Sequence, residues 1–196
     1  MTKTLLTLTL LLALTGPALG QSGDVPSTLT VYAGGGYAHG LSTFDPPVAG
    51  VNTDGFAGSL RVMWKPEYLI SAGLEVGHTD IYSIEQMGVQ SDSGTGNVSA
   101  TNRAWPIIIV FSMSPYRGIE LQAGFGMAIS ETNAESFGSS VSAGGVGSAF
   151  MLSGAYLVPL SSEFRLGGEI KYTNMNKYDD QVLAVQLVLA YRLLEW

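Results

Sequence analysis

The stretch FRLGGEIKYT, Phe164 to Thr173, puts Phe164, Leu166, Gly168, Ile170 and Tyr172 on one parity and Arg165, Gly167, Glu169 and Lys171 on the other. A period of two is the mark of a β-strand with two unlike faces. In a water-soluble sheet the apolar face packs on a core and the charged face meets solvent. Whether that holds here decides the fold. Only 13% of the residues are charged, against a typical ~25%, so there are too few charges to clothe a soluble sheet. The expected arrangement is inverted, with apolar residues outside against lipid and charges inside.

The same alternation recurs through the chain in eight segments. Leu29, Val31, Ala33, Gly35 and Tyr37 share a face in the first, and Phe56, Gly58, Leu60, Val62 and Trp64 in the second. Tyr68, Ile70, Ala72, Leu74 and Val76 form the third face; the fourth segment, Arg103 to Met113, is apolar on both parities and leaves its register open. Ile119, Leu121, Ala123, Phe125, Met127 and Ile129 oppose Glu120, Gln122, Gly124 and Gly126 in the fifth. The sixth offers Phe150, Leu152, Tyr156 and Val158, the seventh is FRLGGEIKYT, and the last sets Leu183, Val185, Leu187, Leu189, Tyr191 and Leu193 against Gln186, Ala190 and Arg192.

Connections alternate in length. Short Pro-containing turns follow the even segments, around Pro66, Pro115 and Pro159, whereas longer polar stretches follow the odd ones, at 40–53, 80–101, 131–146 and 173–180. All the long loops therefore fall at one end. An eight-segment meander removes its unpaired edges by closing on itself, which hydrocarbon demands. Strands of roughly ten residues, short turns on one side and long loops on the other fit a membrane barrel. Aromatic residues at segment ends, Trp64, Tyr68, Trp105, Tyr156, Tyr172 and Tyr191, fit interfacial girdles. The fold expected is all-β: an eight-stranded antiparallel up-and-down transmembrane β-barrel. A secreted soluble barrel with a ligand inside has the same period, and the scarcity of charge weighs against it.

Residues 1–20 read as a cleaved signal peptide, from Lys3, the apolar run Leu5 to Leu14 and the small residues Ala18-Leu19-Gly20. Residues 21–196 are expected to form one barrel domain. With no Cys in the chain, disulfides do not hold it together. A formal charge of -7 argues against nucleic acid as a partner.

The pattern resembles the small eight-stranded bacterial outer-membrane β-barrels, the class that includes the barrel domain of outer-membrane protein A and outer-membrane proteins X and W. The local element that carries the likeness is the end, Leu187 to Trp196. It looks like the terminal strand that the barrel-assembly machinery of that family reads, with Tyr191, Leu193 and Trp196 as the signal. Trp196 stands on the parity opposite Tyr191 and Leu193, so either a bulge precedes it or the strand ends at Leu193. The resemblance implies a bacterial cell outer membrane location, lipid and lipopolysaccharide as surroundings, and a monomer.

With the apolar parity outside, the lumen receives Arg61, Glu75, Glu120, Gln122, Arg165, Glu169, Lys171, Gln186 and Arg192. Counting from the short turns groups Glu120 with Arg61, Arg165 and Arg192, and Glu75 with Glu169 and Lys171. Buried charges must pair, so an ion-paired plug is expected; eight strands leave room for side chains or one small ligand, not for a wide channel. The function expected is structural or adhesive, through the outer loops. A narrow pore or a carrier for small apolar compounds is the alternative, and a lipid A-modifying enzyme is a further one.

Catalysis is not expected, and neither a cofactor nor a metal is called for. His39 and His78 share parity with lipid-facing residues, and His39-Gly40-Leu41-Ser42 sets a base near a hydroxyl with no carboxylate following closely. Gly34-Gly35-Gly36 and Gly144-Gly145-Val146-Gly147 lack the Lys-Ser/Thr of a phosphate loop and read as small inward residues that let the lumen close. The acids Asp45, Asp80, Glu85, Asp92, Glu131, Glu135, Asp179 and Asp180 read as solvated loop residues, open to divalent cations bridging to lipopolysaccharide phosphates.

Overall fold

The computed structural model describes residues 26–41, 50–66, 70–91, 94–136, 139–175 and 180–196, with side chains at 89–91, 94 and 95 left aside. The expected signal peptide, Ser42, Asp45, Tyr68, Asp92 and Asp179 lie outside the described residues. Eight long strands form the wall: β1 (Thr28–Gly40), β3 (Asp54–Lys65), β4 (Ile70–Ser91), β5 (Gly94–Tyr116), β6 (Ile119–Ser136), β7 (Ser139–Pro159), β8 (Phe164–Met175) and β9 (Asp180–Glu195). A two-residue piece, β2 (Val51–Asn52), pairs with β4 at Ile84 and Ser83, outside the ring. Each wall strand is antiparallel to the next, and β9 returns to β1. The sheet has no end. This is the up-and-down barrel of the sequence reading.

The wall is inverted relative to a soluble protein. Leu121 is 42% exposed, Phe125 59% and Leu187 64%, whereas Arg61 and Glu169 are each 1% exposed. In water such a surface would cost about 25 cal/mol for every Å² of apolar area; against lipid tails it costs nothing, and the charges take the sheltered side. Two tight turns show how the short end is made. Gly118 adopts φ 81° in the turn between β5 and β6, a conformation that glycine enters freely, and its carbonyl accepts from Leu157 N at 2.7 Å. Between β7 and β8, Ser161 Oγ accepts from the backbone N–H groups of Glu163 and Phe164.

One expectation needs correction, and two open points are resolved. The described parts of the stretches 80–101 and 131–146 are not loops: β4 runs on to Ser91, β5 starts at Gly94, β6 runs on to Ser136 and β7 starts at Ser139, all as paired strands. Outside lipid both faces of a strand meet water, so polar residues such as Thr, Ser and Asn pair without any apolar alternation to announce them. The fourth segment settles its register with Trp105, Ile109 and Phe111 exposed and Ile108 and Val110 buried. Both of its faces are apolar because its inward side meets an apolar part of the lumen, with Met151, Met175 and Val182.

At the end of β9 the register against β1 shifts, with Thr30 opposite Arg192 and Leu29 opposite Leu194. Leu193 is the extra residue of a bulge, which carries Trp196 onto the outer parity. Ser27 and Trp196 then exchange both backbone hydrogen bonds at 3.0 Å. The strand reaches Glu195, so the alternative in which it ends at Leu193 falls away.

Candidate functional site

Inside the lower half of the barrel, alternate residues of six strands converge on the axis. Arg61 Nη2 donates to Glu169 Oε2 at 2.8 Å, and its Nε lies 3.5 Å from Glu75 Oε2. Lys171 Nζ donates to Glu75 Oε1 at 2.8 Å and to Ser59 Oγ at 3.2 Å, and lies 3.7 Å from Glu169 Oε1. Two cations thus face two carboxylates, nearly dry on all four sides. Ser59 passes the contact on to Gln186. Gly34 lies beside this layer, where an added Cβ would stand 2.9 Å from Gln186 Oε1, so a larger side chain would crowd it.

A second layer lies toward the short turns. Arg165 Nη1 donates to Glu120 Oε1 at 2.6 Å and Arg165 Nη2 to the Tyr32 hydroxyl at 3.0 Å, while that hydroxyl donates to Glu120 Oε1 at 3.3 Å. The Tyr32 ring separates the layers, with the Arg61 guanidinium 4.9 Å and the Arg165 guanidinium 5.8 Å from its centroid. Both contacts have cation–π geometry.

This grouping differs from the sequence reading at two residues. Arg61 belongs with Glu75, Glu169 and Lys171, not with Glu120. Arg192 is not in the network: it pairs with Glu195 at the mouth, where both side chains are 42% exposed. Strands in a closed barrel are tilted and staggered, so equal counts from a turn do not mean equal depth. Gln122 accepts from Ser153. Asp180, read as a solvated loop acid, is buried and accepts from Asn102 Nδ2 at 3.3 Å. The stretch Gly144 to Gly147 lies high on β7 rather than lining the lumen.

The outer rim holds a site that the sequence reading missed. The carboxylate of Asp54 faces His39 across the β1–β3 pair. Its Oδ1 accepts from the Tyr37 hydroxyl at 2.5 Å and from His39 Nδ1 at 2.7 Å. A carboxylate only accepts, so Nδ1 is the donor in this contact. These two hydrogen bonds, Tyr37 first, hold the Asp54 carboxyl below its ordinary range. The signal was present once β1 and β3 were aligned as a hairpin, because His39 then falls opposite Asp54. On the adjoining strands, Asp80 lies 3.3 Å from Arg103 Nε and 3.4 Å from His78 Nε2 and accepts from Phe56 N, and the His78 ring lies tilted at 51° against Trp105, their centroids 4.5 Å apart. Among the described residues no three His, Cys, Asp or Glu side chains gather to hold a metal.

Below this rim the β4–β5 ladder is interrupted. Pairing is continuous from Ile70 to Val76 and resumes at Thr79 opposite Ala104, leaving a gap where Pro106 stands. Proline has no N–H to give the ladder. A cavity of about 20 Å³ lies behind Gly58, Gly77 and Pro106, room for one water.

A closed ring with lipid-facing walls and an ionic interior is matched by family comparison. A model described as outer membrane protein beta-barrel domain matches residues 6–192. The chain belongs to this family. It is a protein of the bacterial outer membrane. Solved barrels of similar fold include Ail, the attachment invasion locus protein of Yersinia pestis, in complex with the heparin analogue sucrose octasulfate, at 12% identity and TM-score 0.51, covering 87% of this chain and 100% of that one. Neisserial surface protein A matches at 8% identity and TM-score 0.52, covering 85% and 99%. A major outer membrane protein from Thermus thermophilus matches at 15% and TM-score 0.52, again covering 85% and 99%. No curated protein sequence matches the chain. These outer-membrane barrels share a wall with this chain, and identities so low speak for fold alone.

Proposed function

We propose that this outer-membrane barrel is a structural and adhesive element of the envelope, acting through its outer arms, without catalysis and with an ion-paired plug in its lumen. One observation carries the reading. The β4–β5–β6–β7 sheet continues beyond the last β7–β8 pair, Ala149 with Met175, as far as Ser136 opposite Ser139. Residues Ser139 to Ser148 of β7 thus rise about 30 Å past their neighbour at ~3.4 Å per residue. No described residue pairs with that edge, and it carries no charge and no Pro. Such an edge is a template for strand addition, which is what an adhesive surface requires. The arms bear Glu85, Glu131 and Glu135, so cationic or neutral partners suit them better than sulfated ones.

In the same reading the barrel is a monomer surrounded by lipid and lipopolysaccharide, with no nucleic-acid partner. Tyr191, Leu193 and Trp196 address the barrel-assembly machinery, helped by the bulge that turns Trp196 outward. A pore or apolar-compound carrier is the weaker use of the lumen, since the layer of Arg61, Glu75, Glu169 and Lys171 crosses it and the cavity at its short-turn end is lined by hydroxyls and charges. The test is a shortened β6–β7 arm, with residues 132–143 replaced by a two-residue turn that keeps Glu131 opposite Gly144. Cells carrying it should keep a heat-modifiable barrel and lose attachment; unchanged attachment would refute the adhesive role.

A second reading rests on His39 and Asp54. A His oriented by a carboxylate, with no partner at Nε2 among the described residues, is the base half of a hydrolytic site, and its substrate would be outer-leaflet lipid. Mass spectra of lipopolysaccharide incubated with the purified barrel decide it: a product lost on His39→Ala supports it, and an unaltered spectrum ends it.

A further inference from the structure

The lumen opens at its short-turn end into a cavity of about 250 Å³, whose walls are the hydroxyls of Thr30, Ser71, Ser112 and Ser114, with Glu120 at its floor and Lys65 among its lining. Its remaining charged lining is Arg165, Arg192, Glu163 and Glu195. Three cations and three acids leave the mouth neutral, so neither a net anion nor a net cation is favoured. Within it the charges are not all matched. Glu120 is 4% exposed, and while its Oε1 takes Arg165 and Tyr32, its Oε2 has no hydrogen-bond partner among the described residues. Leaving a buried carboxylate oxygen unmade costs more than an ordinary hydrogen bond returns. Arg192 is taken by Glu195, while Lys65 makes no ion pair with a described residue.

We propose that this periplasmic mouth binds a small zwitterion of amino-acid to dipeptide size, its ammonium on Glu120 Oε2 and its carboxylate toward Lys65. The inner group is an anionic acceptor, for which a charged N–H donor is the strongest match. At the rim an unpaired ammonium calls for an anion. The hydroxyl walls serve as donor or acceptor to whatever lies between. A polyol would satisfy the hydroxyls but leave Lys65 unmatched.

The experiment titrates the purified barrel, ¹⁵N-labelled in detergent micelles, with glycylglycine, and in parallel with methylammonium, acetate and glucose at constant ionic strength. Glycylglycine should shift the Ser71, Ser112 and Ser114 amides to saturation at millimolar concentration, and the three single-function probes should bind about tenfold more weakly or not at all. Glu120→Gln should weaken glycylglycine about tenfold. Should that variant not fold, Lys65→Met at the rim keeps the test open: it should weaken glycylglycine about fivefold and leave methylammonium unchanged. Glucose saturating the same amides as well as glycylglycine, no saturation up to about 50 mM, or full affinity in Lys65→Met would each overturn the proposal.

Discussion

Strand β6 crosses two environments without a break in its ladder. From Ile119 to Ile129 its outward residues are apolar and its inward ones are Glu120, Gln122, Gly124, Gly126 and Ala128; from Ser130 to Ser136 it pairs just as regularly with β5 and β7, yet the alternation is gone. Backbone hydrogen bonds are the same in both halves. What differs is the penalty on the side chains: lipid outside and a narrow lumen inside sort them strictly, whereas water on both faces sorts nothing. Substitutions should therefore be costly in the belt and nearly free in the arms.

The largest contrast is expected inside the belt. Glu169→Ala removes a carboxylate that faces both Arg61 and Lys171, leaving two buried cations against Glu75 alone. Breaking a buried pair costs about 3–5 kcal/mol, and the urea midpoint of the refolded barrel should fall accordingly. Val141→Ala in the arm, where the side chain is 67% exposed, should stay within about 0.5 kcal/mol. Replacing Arg61 by Met and Glu169 by Leu together should recover much of the loss, because the desolvation of both charges goes with them. If Glu169→Ala costs no more than the arm substitution, water solvates the lumen and the plug does not close it.

Next in size is a charge placed outside. Phe125→Arg puts a guanidinium against lipid and should cost about 2–4 kcal/mol near the bilayer midplane. Val141→Arg, on the same sheet but above the lipid, should be close to neutral, within about 0.5 kcal/mol. Folding yield and urea stability in lipid vesicles compare them, and equal penalties would mean that the arm, too, lies in hydrocarbon.

These contrasts also explain what could be read in advance. The belt was legible because each strand there has two unlike faces: Leu121 and Phe125 against Glu120 and Gln122, or Ile170 and Tyr172 against Glu169 and Lys171. Closure followed from the alternation of short and long connections. The arms read as loops in the sequence because Thr101, Ser99, Thr132 and Ser142 follow no apolar period. β5 kept its register hidden for the opposite reason, being apolar on both sides. At the candidate sites, sequence placed Glu120 with Arg165 and Glu75 with Glu169 and Lys171 but set Arg61 in the wrong layer, since Arg61 meets Glu169 over 108 residues through a stagger that only the closed ring sets. His39 and Asp54 needed the same knowledge of register.

The apolar upper lumen offers a smaller effect. Ile108→Val removes one methylene from a side chain 1% exposed, and should cost about 1 kcal/mol, within the 0.5–1.5 usual for that change in a packed core. Ile107→Val, one residue away on the lipid face, leaves no cavity because acyl chains flow into the space. Equal losses at the two positions would mean that lipid packs on this wall as tightly as protein does.

The smallest effect sits at the boundary between belt and arm. Asp54 lies just above Phe56 on β3, and the Tyr37 hydroxyl and His39 ring hold its carboxyl below the ordinary range. Because the folded value is depressed, the linkage favours the folded rim at pH above the unfolded carboxyl value, about 3.9, and fades as the pH falls through the lowered one. The group is exposed and screened, so no measurable stability should attach to it. Its titration, followed by ¹³C resonance of the carboxyl, is the observable. Tyr37→Phe should raise the midpoint more than His39→Ala, in the order of their effects on Asp54. A wild-type midpoint at the ordinary value would mean that Tyr37, Asp54 and His39 do not meet in solution, and the outer edge of the belt would then have to be fixed by the Asp80, Arg103 and His78 cluster on β4 and β5 instead.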